Sequence, residues 1–297
     1  MRKQIQYAKK VFQEEGSQYL IGESLQYIGR IISNGSKNKR KQQIIQNYSD
    51  NPRFLNLGGG DFIRADWRCM DYYTDHYSYN EILVDYPIDL EDLEQWPIES
   101  DSYDILYSSA TLEHLSDDAI DRALDEAYRI LKPGGGIHVT VPDTEFAFEK
   151  YLDSDVQWMQ EIRGVAQEEN LRYSSEYIPE YFLIRWFASA YLKEEVNHED
   201  GLDSFLKTVR KDANKLEFEE FLNKYKSGLP VAVHRRHPGG HRNWMTEDRV
   251  QTLLSDAGFS EIERIYARQS RFTELCHHGF DPRPQWSVHI EGIKPMK

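Results

Sequence analysis

The sequence predicts an α/β fold in which strands alternate with helices around a mostly parallel sheet. Short apolar runs at Phe54–Leu57, Trp67–Asp71 and Tyr103–Ser109 have the length and flanking residues of buried strands. A helical pattern begins after Ser116, and a further strand-like run follows the turn at Pro133. Strands that alternate with helices are typical of βαβ units, and these units build parallel sheets.

The first two predicted strands border a glycine-rich loop. Phe54–Leu57 runs into Gly58-Gly59-Gly60, which indicates a buried strand that enters a tight turn. The second strand carries Asp71 at its end. This residue lies 11 positions past Gly60, whereas a dinucleotide-binding fold has its acidic residue about 20 positions on. The interval therefore leaves little room for a full crossover helix.

The following elements continue the alternation. Ser116 is predicted to cap a helix whose apolar residues recur every three or four positions as far as Leu131. The sequence Lys132-Pro133-Gly134-Gly135 predicts a type II turn, because proline sets φ at the second position and glycine accepts a positive φ at the third. Residues 136–141 then form a predicted strand that ends before Asp143.

Residues 145–233 break this rhythm. They contain few glycines, many charges and aromatic residues at helical spacing, so we expect a helical cap inserted after the fifth strand. The α/β pattern returns with a helix capped by Thr246 and with strand-like segments at 260–267 and 286–293. We thus expect an N-terminal helical segment over 1–50, a sheet domain over 51–144 and 234–297, and the cap over 145–233.

Charge and composition exclude several classes of function. The 297 residues include 36 Lys and Arg against 50 Asp and Glu, and the net charge of −14 argues against nucleic acid or an anionic membrane as partner. No run approaches the ~18 apolar residues of a membrane span, and the first residues lack the apolar core of a secretory signal. Two cysteines are too few for a disulfide framework. We expect a cytoplasmic protein.

The glycine loop and Asp71 together predict a nucleotide-type binding site. Glycine lets the backbone approach a ligand closely, and a carboxylate can accept hydrogen bonds from both hydroxyls of a ribose. The dinucleotide fingerprint is not met, because Phe62 and Ile63 follow Gly60-Asp61. The phosphate-binding G-x-x-x-x-G-K-[ST] loop is absent from the sequence, which argues against a P-loop phosphotransferase.

Five motifs in order resemble those of the class I S-adenosylmethionine-dependent methyltransferases. The likeness is strongest to a type 11-like, predicted bacterial branch whose first motif reads like L-N-L-G-x-G. The motifs are Leu55-Asn56-Leu57-Gly58-Gly59-Gly60 with Trp67 and Asp71; Ile88-Asp89-Leu90 with Trp96-Pro97-Ile98; Tyr103 to His114; Leu131-Lys132-Pro133-Gly134-Gly135; and Ala257-Gly258-Phe259. The resemblance covers residues 53–143 well and 244–293 loosely. It implies a Rossmann-like, mostly parallel seven-stranded sheet with an antiparallel last strand.

The resemblance also implies S-adenosylmethionine as cofactor, with S-adenosylhomocysteine as product. Gly58 and Gly60 would pass beside the methionine part, and Asp71 would hold the ribose hydroxyls. Asp89 and the Leu90 backbone would meet the adenine edge. The full set of implied cofactor-binding residues is Asn56, Gly58, Gly59, Gly60, Asp71, Asp89, Leu90, Ser109 and Ala110, of which the last two would lie near the sulfonium.

Two residues depart from the family pattern, and the local charge agrees with it. Asn56 stands where an acidic residue is usual and Phe62 where a third glycine is usual, so we expect a modified loop path. Residues 81–127 contain 15 carboxylates and one basic residue, Arg122. A cationic sulfonium tolerates this field better than the pyrophosphate of a dinucleotide would.

Methyl transfer to an alcohol requires alignment and a proton acceptor. Alignment can supply ~7–11 kcal/mol of the barrier, and a histidine or a carboxylate with a raised pKa suits the acceptor role. His114, just past the fourth strand, and Asp143, at the end of the fifth, are candidate catalytic residues. Each also has a structural interpretation: pocket packing and helix capping for His114, and capping of the next helix for Asp143.

Residues 233–244 hold three histidines and three arginines in an acidic protein. One interpretation is a recognition loop for an anionic acceptor, with His241 as candidate catalytic base. Its substrate-binding residues would be His234, Arg235, Arg236, His237 and Arg242. The alternative is a salt-bridged turn that clamps the acidic surface. We expect no metal site, because the histidine spacing matches no metalloprotease motif, although some methyltransferases of this fold use a divalent ion.

The sequence thus predicts an S-adenosylmethionine-dependent methyltransferase for a small or medium-sized acceptor. The resemblance favours O-methylation of a sugar or of a surface-polysaccharide precursor. Alternatives are an N-methyltransferase of a small metabolite and a non-catalytic cofactor-binding interaction protein. A nicotinamide-dependent oxidoreductase is less expected, given the short interval between Gly60 and Asp71. The expected partner is a small-molecule or saccharide acceptor, including an anionic one; no nucleic acid and no membrane span are expected.

Overall fold

A computed structural model describes residues 49–60, 62, 64–72, 84–155, 157–158, 177–194, 199–226, 228–236, 239–277, 279–281 and 285–296. The chain divides into two compact units, Met1–Asp50 with Ile63–Ala65, and the remainder. The helical segment predicted over 1–50 lies almost wholly outside the described residues. The sheet, its helices and the candidate site belong to the second unit.

The described strands form one mixed sheet in the order β3-β2-β1-β4-β5-β7-β6. They are β1 Phe54–Leu57, β2 Trp67–Asp71, β3 Tyr86–Pro87, β4 Tyr103–Ser109, β5 Leu131–Pro142, β6 Ser260–Arg264 and β7 Ser287–Ile293. The first five strands pair in parallel, in the order β3-β2-β1-β4-β5. Strand β7 runs antiparallel to both β5 and β6. The predicted fold class is confirmed, including its antiparallel last strand.

Seven α-helices accompany this sheet in the described part of the chain. They are α1 Asp117–Ile130, α2 Thr144–Leu152, α3 Ile178–Glu194, α4 Glu199–Ala213, α5 Phe218–Tyr225, α6 Val231–Arg236 and α7 Glu247–Asp256. Both predicted caps are formed: the Ser116 hydroxyl accepts from the Ala119 N–H, and the Thr246 hydroxyl accepts from the Arg249 N–H. The third position of the predicted turn, Gly134, has φ of +78°.

An aromatic cluster takes the place of a helix between β1 and β2. The intervening residues 58–66 are fewer than the dozen or so that a parallel crossover usually needs. Phe62 contacts Trp67 and Phe280, with ring centroids 5.5 and 5.3 Å apart. Phe280 also meets Tyr107 of β4 at 4.9 Å. Phe62, which replaces the family's usual third glycine, therefore anchors the short loop on the sheet.

Helices α2 to α5 bury an apolar cluster of their own. Phe148, Phe187 and Phe221 lie at its centre, and the rings of Phe148 and Phe221 are 5.2 Å apart. The limits of an inserted cap over 145–233 stay a prediction. Among the helices the structure describes, none combines the length and the apolar character needed to cross a membrane.

Candidate functional site

A cavity of about 700 Å³ opens where β1, β2, β4 and β5 end. The strand order reverses between β1 and β4, and open α/β sheets bind ligands at such a switch point. The volume falls within the ~300–1,000 Å³ of small-molecule sites. The structure brings together every residue that the sequence implicated in cofactor binding: Asn56, Gly58, Gly59, Gly60, Asp71, Asp89, Leu90, Ser109 and Ala110 all line the cavity.

The glycine loop packs closely against Thr111 at Gly58 and borders open space at Gly60. Gly58 has φ of +67°, and a Cβ there would lie 2.0 Å from Oγ1 of Thr111. The Thr111 hydroxyl in turn donates to the Leu57 carbonyl over 3.1 Å. At Gly60, with φ of +53°, an added Cβ would meet no atom within 4 Å. The loop thus leaves free volume in the cavity at Gly60, as a bound cofactor requires.

Asp71 is tied to this loop by its carboxylate. Oδ2 accepts from the Gly60 N–H over 2.8 Å, and Oδ1 accepts from the Tyr72 N–H over 2.7 Å. Burial raises the pKa of Asp71, and these two hydrogen bonds offset only part of that effect. Each carboxylate oxygen keeps a further lone pair, so Asp71 can still accept hydroxyl groups from a ligand in the cavity.

Asp89 connects the cavity with the unusual basic segment. Its Oδ1 caps the short helix Leu90–Asp92 by accepting from the Glu91 N–H over 3.0 Å. Its Oδ2 accepts from Nε of Arg235 over 2.6 Å, and Arg235 also pairs with Asp92. Among residues 235–236 and 239–244, whose side chains the structure describes, Arg235 is the one that lines the cavity.

The other residues of the basic segment lie away from the cavity lining or have side chains that the structure does not describe. Arg242 is buried; it pairs with Glu91 over 3.2 Å and donates to the Leu229 carbonyl over 2.9 Å. This geometry favours the salt-bridged alternative for Arg242 over contact with an acceptor. Arg236 is exposed and lies away from the cavity lining. His234 has only its backbone described, in α6, and His237 lies outside the described residues.

Asp143, a predicted catalytic residue, caps helix α2. Its Oδ1 accepts from the Phe146 N–H over 3.0 Å. Burial raises the pKa of the Asp143 carboxyl, but the cavity is lined by its neighbour Pro142 and not by Asp143 itself. The structure therefore favours the capping interpretation.

The two other predicted catalytic residues lie side by side. The rings of His114 and His241 meet edge to face, with centroids 4.9 Å apart, and His114 lines the cavity. Nδ1 of His114 is 3.1 Å from the Gly240 carbonyl, and Nδ1 of His241 is 2.6 Å from the Trp186 carbonyl. Because a carbonyl oxygen only accepts, Nδ1 of each ring carries the hydrogen. Each neutral ring then has its lone pair on Nε2.

Both Nε2 atoms face Glu113, whose role the sequence analysis missed. Each lies 3.9 Å from Oε1 of this carboxylate, which is 1% exposed. The Glu113 carbonyl also accepts from the backbone N–H groups of Arg242 and Asn243, over 2.9 and 3.1 Å. Glu113 was visible only as the middle letter of the L-E-H motif, and its partner His241 lies far along the chain. We call Glu113, His114 and His241 the cavity-edge cluster.

A second polar cluster lies in the sheet behind the cavity. His138 of β5 is fully buried, with Nδ1 2.9 Å from Glu291 and Nε2 3.1 Å from Asp281. The Thr140 hydroxyl, at the cavity wall, donates to Asp281 over 3.0 Å and contacts His289 at 3.1 Å. Hydrogen bonds to two carboxylates outweigh the effect of burial and raise the pKa of His138. The protonated form of the ring offsets part of the carboxylate charge, and Nε of Arg271 lies 3.4 Å from Glu291.

Part of the chain is similar to a methyltransferase domain. Residues 70–139 match a family model described as a methyltransferase domain, and no curated protein sequence matches the chain. An S-adenosylmethionine-dependent methyltransferase from Archaeoglobus fulgidus is 12% identical with a TM-score of 0.38. A protein from Thermotoga maritima, described as a possible histamine N-methyltransferase, is 14% identical with a TM-score of 0.36. Each alignment covers 97% of this chain and 99% of the other. At such TM-scores the two structures do not indicate an acceptor.

The matched stretch runs from β2 to β5 and contains Asp71, Asp89 and His114. The cofactor of this family is S-adenosylmethionine, and the free volume at Gly60 beside the Asp71 carboxylate fits it. Residues 70–139 are therefore similar to a methyltransferase domain, in agreement with the resemblance stated from the sequence.

Proposed function

We propose that the protein methylates a hydroxyl group of a small or medium-sized acceptor, such as a sugar or a surface-polysaccharide precursor. The observation that carries this proposal is the pair of imidazoles, His114 and His241, at the edge of the cofactor cavity. An alcohol must lose a proton as it attacks, and a neutral imidazole is the side chain best matched to that task near neutral pH. An amine acceptor has less need of such a group.

The cavity residues supply the cofactor site in this proposal. When bound, S-adenosylmethionine supplies a methyl group carried by a positively charged sulfur. Asp71 accepts the ribose hydroxyls, and Asp89 with the Leu90 backbone recognises the adenine edge. Gly58 and Gly60 give the methionine part close access to the loop. Ser109 and Ala110, which follow each other at the end of β4, line the cavity toward His114.

The cavity-edge cluster assists the departure of the acceptor's proton. The carbonyls of Gly240 and Trp186 hold both rings in the tautomer that leaves Nε2 able to accept. The negative charge of Glu113 stabilises positive charge that develops nearby. Arg235, which lines the same cavity, contributes a cation for an acidic group on the acceptor. The cap over 145–233 would exclude water from the site.

Calorimetric titration with S-adenosylmethionine, S-adenosylhomocysteine and NAD tests the cofactor assignment. We expect binding of the first two and none of NAD. Pairs of sugars that differ only in one hydroxyl or amino group then test the acceptor, with mass spectrometry detecting the gain of one CH₂. Methylation of the hydroxyl member alone supports the proposal, and methylation of the amino member alone replaces it by N-methylation. Cofactor binding without turnover on either class would favour the interaction-protein alternative.

A further inference from the structure

We propose that the cavity-edge cluster of Glu113, His114 and His241 binds a divalent first-row transition-metal ion. The catalytic role of this ion rests on the proposed function, because both concern the same site. The binding of the ion itself is measurable without cofactor or acceptor. The sequence analysis expected no metal, because the histidine spacing matches no metalloprotease motif. The ligands proposed here are two adjacent residues and a third that lies beyond the region of the cap.

The first argument is the direction of the lone pairs. Nδ1 of His114 donates to the Gly240 carbonyl, and Nδ1 of His241 donates to the Trp186 carbonyl. The Nε2 lone pairs of both rings therefore point into a region that they share with Oε1 of Glu113. A cation placed between the two Nε2 atoms and Oε1 would be attracted to all three.

The second argument is distance. Each Nε2 is 3.9 Å from Oε1 of Glu113, which is too long for a hydrogen bond. Ligands of one metal ion, bound at ~2.0–2.2 Å, can be up to ~4.4 Å apart across the ion. The one ligand atom from each residue lies within 4.8 Å of the other two. Small side-chain rotations therefore bring all three into coordination distance.

The third argument is the support of the two rings. Metal-bound histidines almost always donate their other ring N–H to a carboxylate or a backbone carbonyl, which fixes the tautomer and the ring orientation. Both His114 and His241 have such a carbonyl partner. The His241 backbone is held as well, because its N–H donates to the Ser189 hydroxyl over 2.8 Å and its carbonyl accepts from the Ala190 N–H over 2.9 Å.

The ligand set selects the class of ion. Two imidazoles and one carboxylate suit Zn²⁺, Mn²⁺, Co²⁺ or Fe²⁺, whereas Mg²⁺ prefers oxygen ligands. Three protein ligands leave at least one coordination position open, as in catalytic rather than structural metal sites. His114 lines the cavity, so this position is accessible to an acceptor. With the ion bound, both Nε2 lone pairs are occupied and the imidazoles cannot accept the proton themselves; the ion instead lowers the pKa of a hydroxyl beside it, so that the proton leaves to solvent.

The second group of ligand-type residues, His138, Asp281 and His289, fits an ion less well. Both ring nitrogens of His138 already face carboxylates at 2.9 and 3.1 Å. Both nitrogens of this ring therefore already have hydrogen-bond partners and leave no lone pair for an ion. All three residues are buried, so an ion would also have no open position for a substrate.

The test uses the full-length, untagged protein after removal of metals with a chelator. Co²⁺ is titrated without cofactor, and its binding is followed by visible absorption and by calorimetry. We expect one Co²⁺ per chain, displaced by Zn²⁺ but not by Mg²⁺. Glu113→Gln and His241→Ala should each weaken Co²⁺ binding at least ~10-fold, the usual minimum for a disturbed metal shell. The control His277→Ala replaces an exposed histidine outside both clusters and should bind Co²⁺ like the parent protein.

Absence of Co²⁺ binding by the parent protein overturns the proposal, and so does unchanged binding by both cluster variants. Loss of binding in His289→Gln with retention in His241→Ala also overturns it, because the ion would then lie in the sheet. Circular dichroism and thermal unfolding verify that each variant is folded. The outcome is separate from that of the proposed function: Co²⁺ binding at this cluster together with methylation of amines alone would sustain the metal site and refute the hydroxyl acceptor.

Discussion

His241 and Trp186 are joined by a hydrogen bond at a break in helix α3. Nδ1 of His241 donates to the Trp186 carbonyl over 2.6 Å, and the His241 carbonyl accepts from the Ala190 N–H over 2.9 Å. Trp186 and Ala190 are four positions apart, the spacing at which a regular helix joins carbonyl to amide. The helix is kinked between them, at Ala188, with φ of −137° and ψ of 35°. His241 thus enters the helix at its kink, and the helix in return fixes the ring beside His114.

Replacement of His241 should reduce turnover more than cofactor affinity. In His241→Ala we expect kcat to fall ~10²–10⁴-fold, the range for loss of a group that assists proton transfer. The Kd of S-adenosylmethionine should change little, because His241 does not line the cavity. Steady-state kinetics and calorimetry measure the two effects, with His277→Ala as control. A larger loss of affinity than of kcat would move His241 into the cofactor site.

Replacement of Asp71 should have the opposite effect. In Asp71→Asn the side chain loses its charge but keeps its shape, so cofactor affinity should fall ~10–150-fold, equivalent to ~1.5–3 kcal/mol for hydrogen bonds to a charged group. The matched control is Asp104→Asn, since Asp104 pairs with Arg53 and Lys132 away from the cavity lining. If calorimetry finds the same Kd in Asp71→Asn and the parent protein, the ribose assignment is wrong.

The pH dependence of cofactor binding follows from the environment of Asp71. Burial raises the pKa of this carboxyl, and hydrogen bonds from Gly60 and Tyr72 only partly offset the rise. The protonated form accepts ribose hydroxyls less well, so affinity should decline as pH falls from ~7 toward the raised pKa, before the ordinary value of ~3.9 is reached. Calorimetry across this range measures the decline. In Asp71→Asn the dependence should disappear; if it persists, another group controls it.

The sequence allowed the residues that line the cavity to be grouped because they follow strand ends that local patterns reveal. Gly58 and Gly60 follow the end of β1 and Asp71 ends β2, and a parallel sheet necessarily brings the ends of such neighbouring strands together. Glu113 and His241 could not be paired in this way, because their approach depends on the kink of α3 and on tertiary hydrogen bonds. The sequence indicated that a crossover helix would not fit between β1 and β2. The role of Phe62 could not be predicted, because it depends on contact with Phe280 from the segment before β7.

The buried network around His138 should control the dependence of stability on pH. The raised pKa of His138 contributes stability that is complete below ~6.5 and is lost as pH rises through the higher folded value. Asp281 and Glu291 have lowered pKa values because hydrogen bonds, chiefly from His138, outweigh burial. Their contribution is present above ~4 and is lost as pH falls through the lower folded values. Stability should therefore be greatest between these limits.

Removal of His138 tests this account. His138→Gln removes the cation shared by two buried carboxylates, of which Glu291 keeps Arg271 at 3.4 Å, so the free energy of unfolding should fall by up to ~3–5 kcal/mol near neutral pH. Urea denaturation at several pH values measures the loss, and it should shrink at acidic pH, where the carboxylates of the variant become protonated. The exposed His277→Ala variant should unfold like the parent protein. An equally stable His138→Gln would mean that the ring is neutral in the fold.

Two glycines of the loop should respond differently to the same substitution. Gly58→Ala sets a methyl group 2.0 Å from Oγ1 of Thr111 in addition to the strain of a φ of +67°. Both effects act on the fold, so the loss of stability should exceed the ~1–2 kcal/mol that left-handed backbone alone costs. Gly60→Ala also has a positive φ but meets no atom within 4 Å, so its stability should fall only by the backbone cost.

Of the two variants, Gly60→Ala should be the more stable one but should bind the cofactor more weakly. The new methyl of Gly60→Ala occupies space in the cavity that the cofactor needs, so the folded variant should bind S-adenosylmethionine more weakly. Thr111→Gly should restore part of the stability of Gly58→Ala, because it removes the clashing side chain. If Gly60→Ala binds with the parent Kd while remaining folded, the cofactor does not pass beside Gly60, and the fit of the cavity must then depend on the wall formed by Asp71 and Asp89.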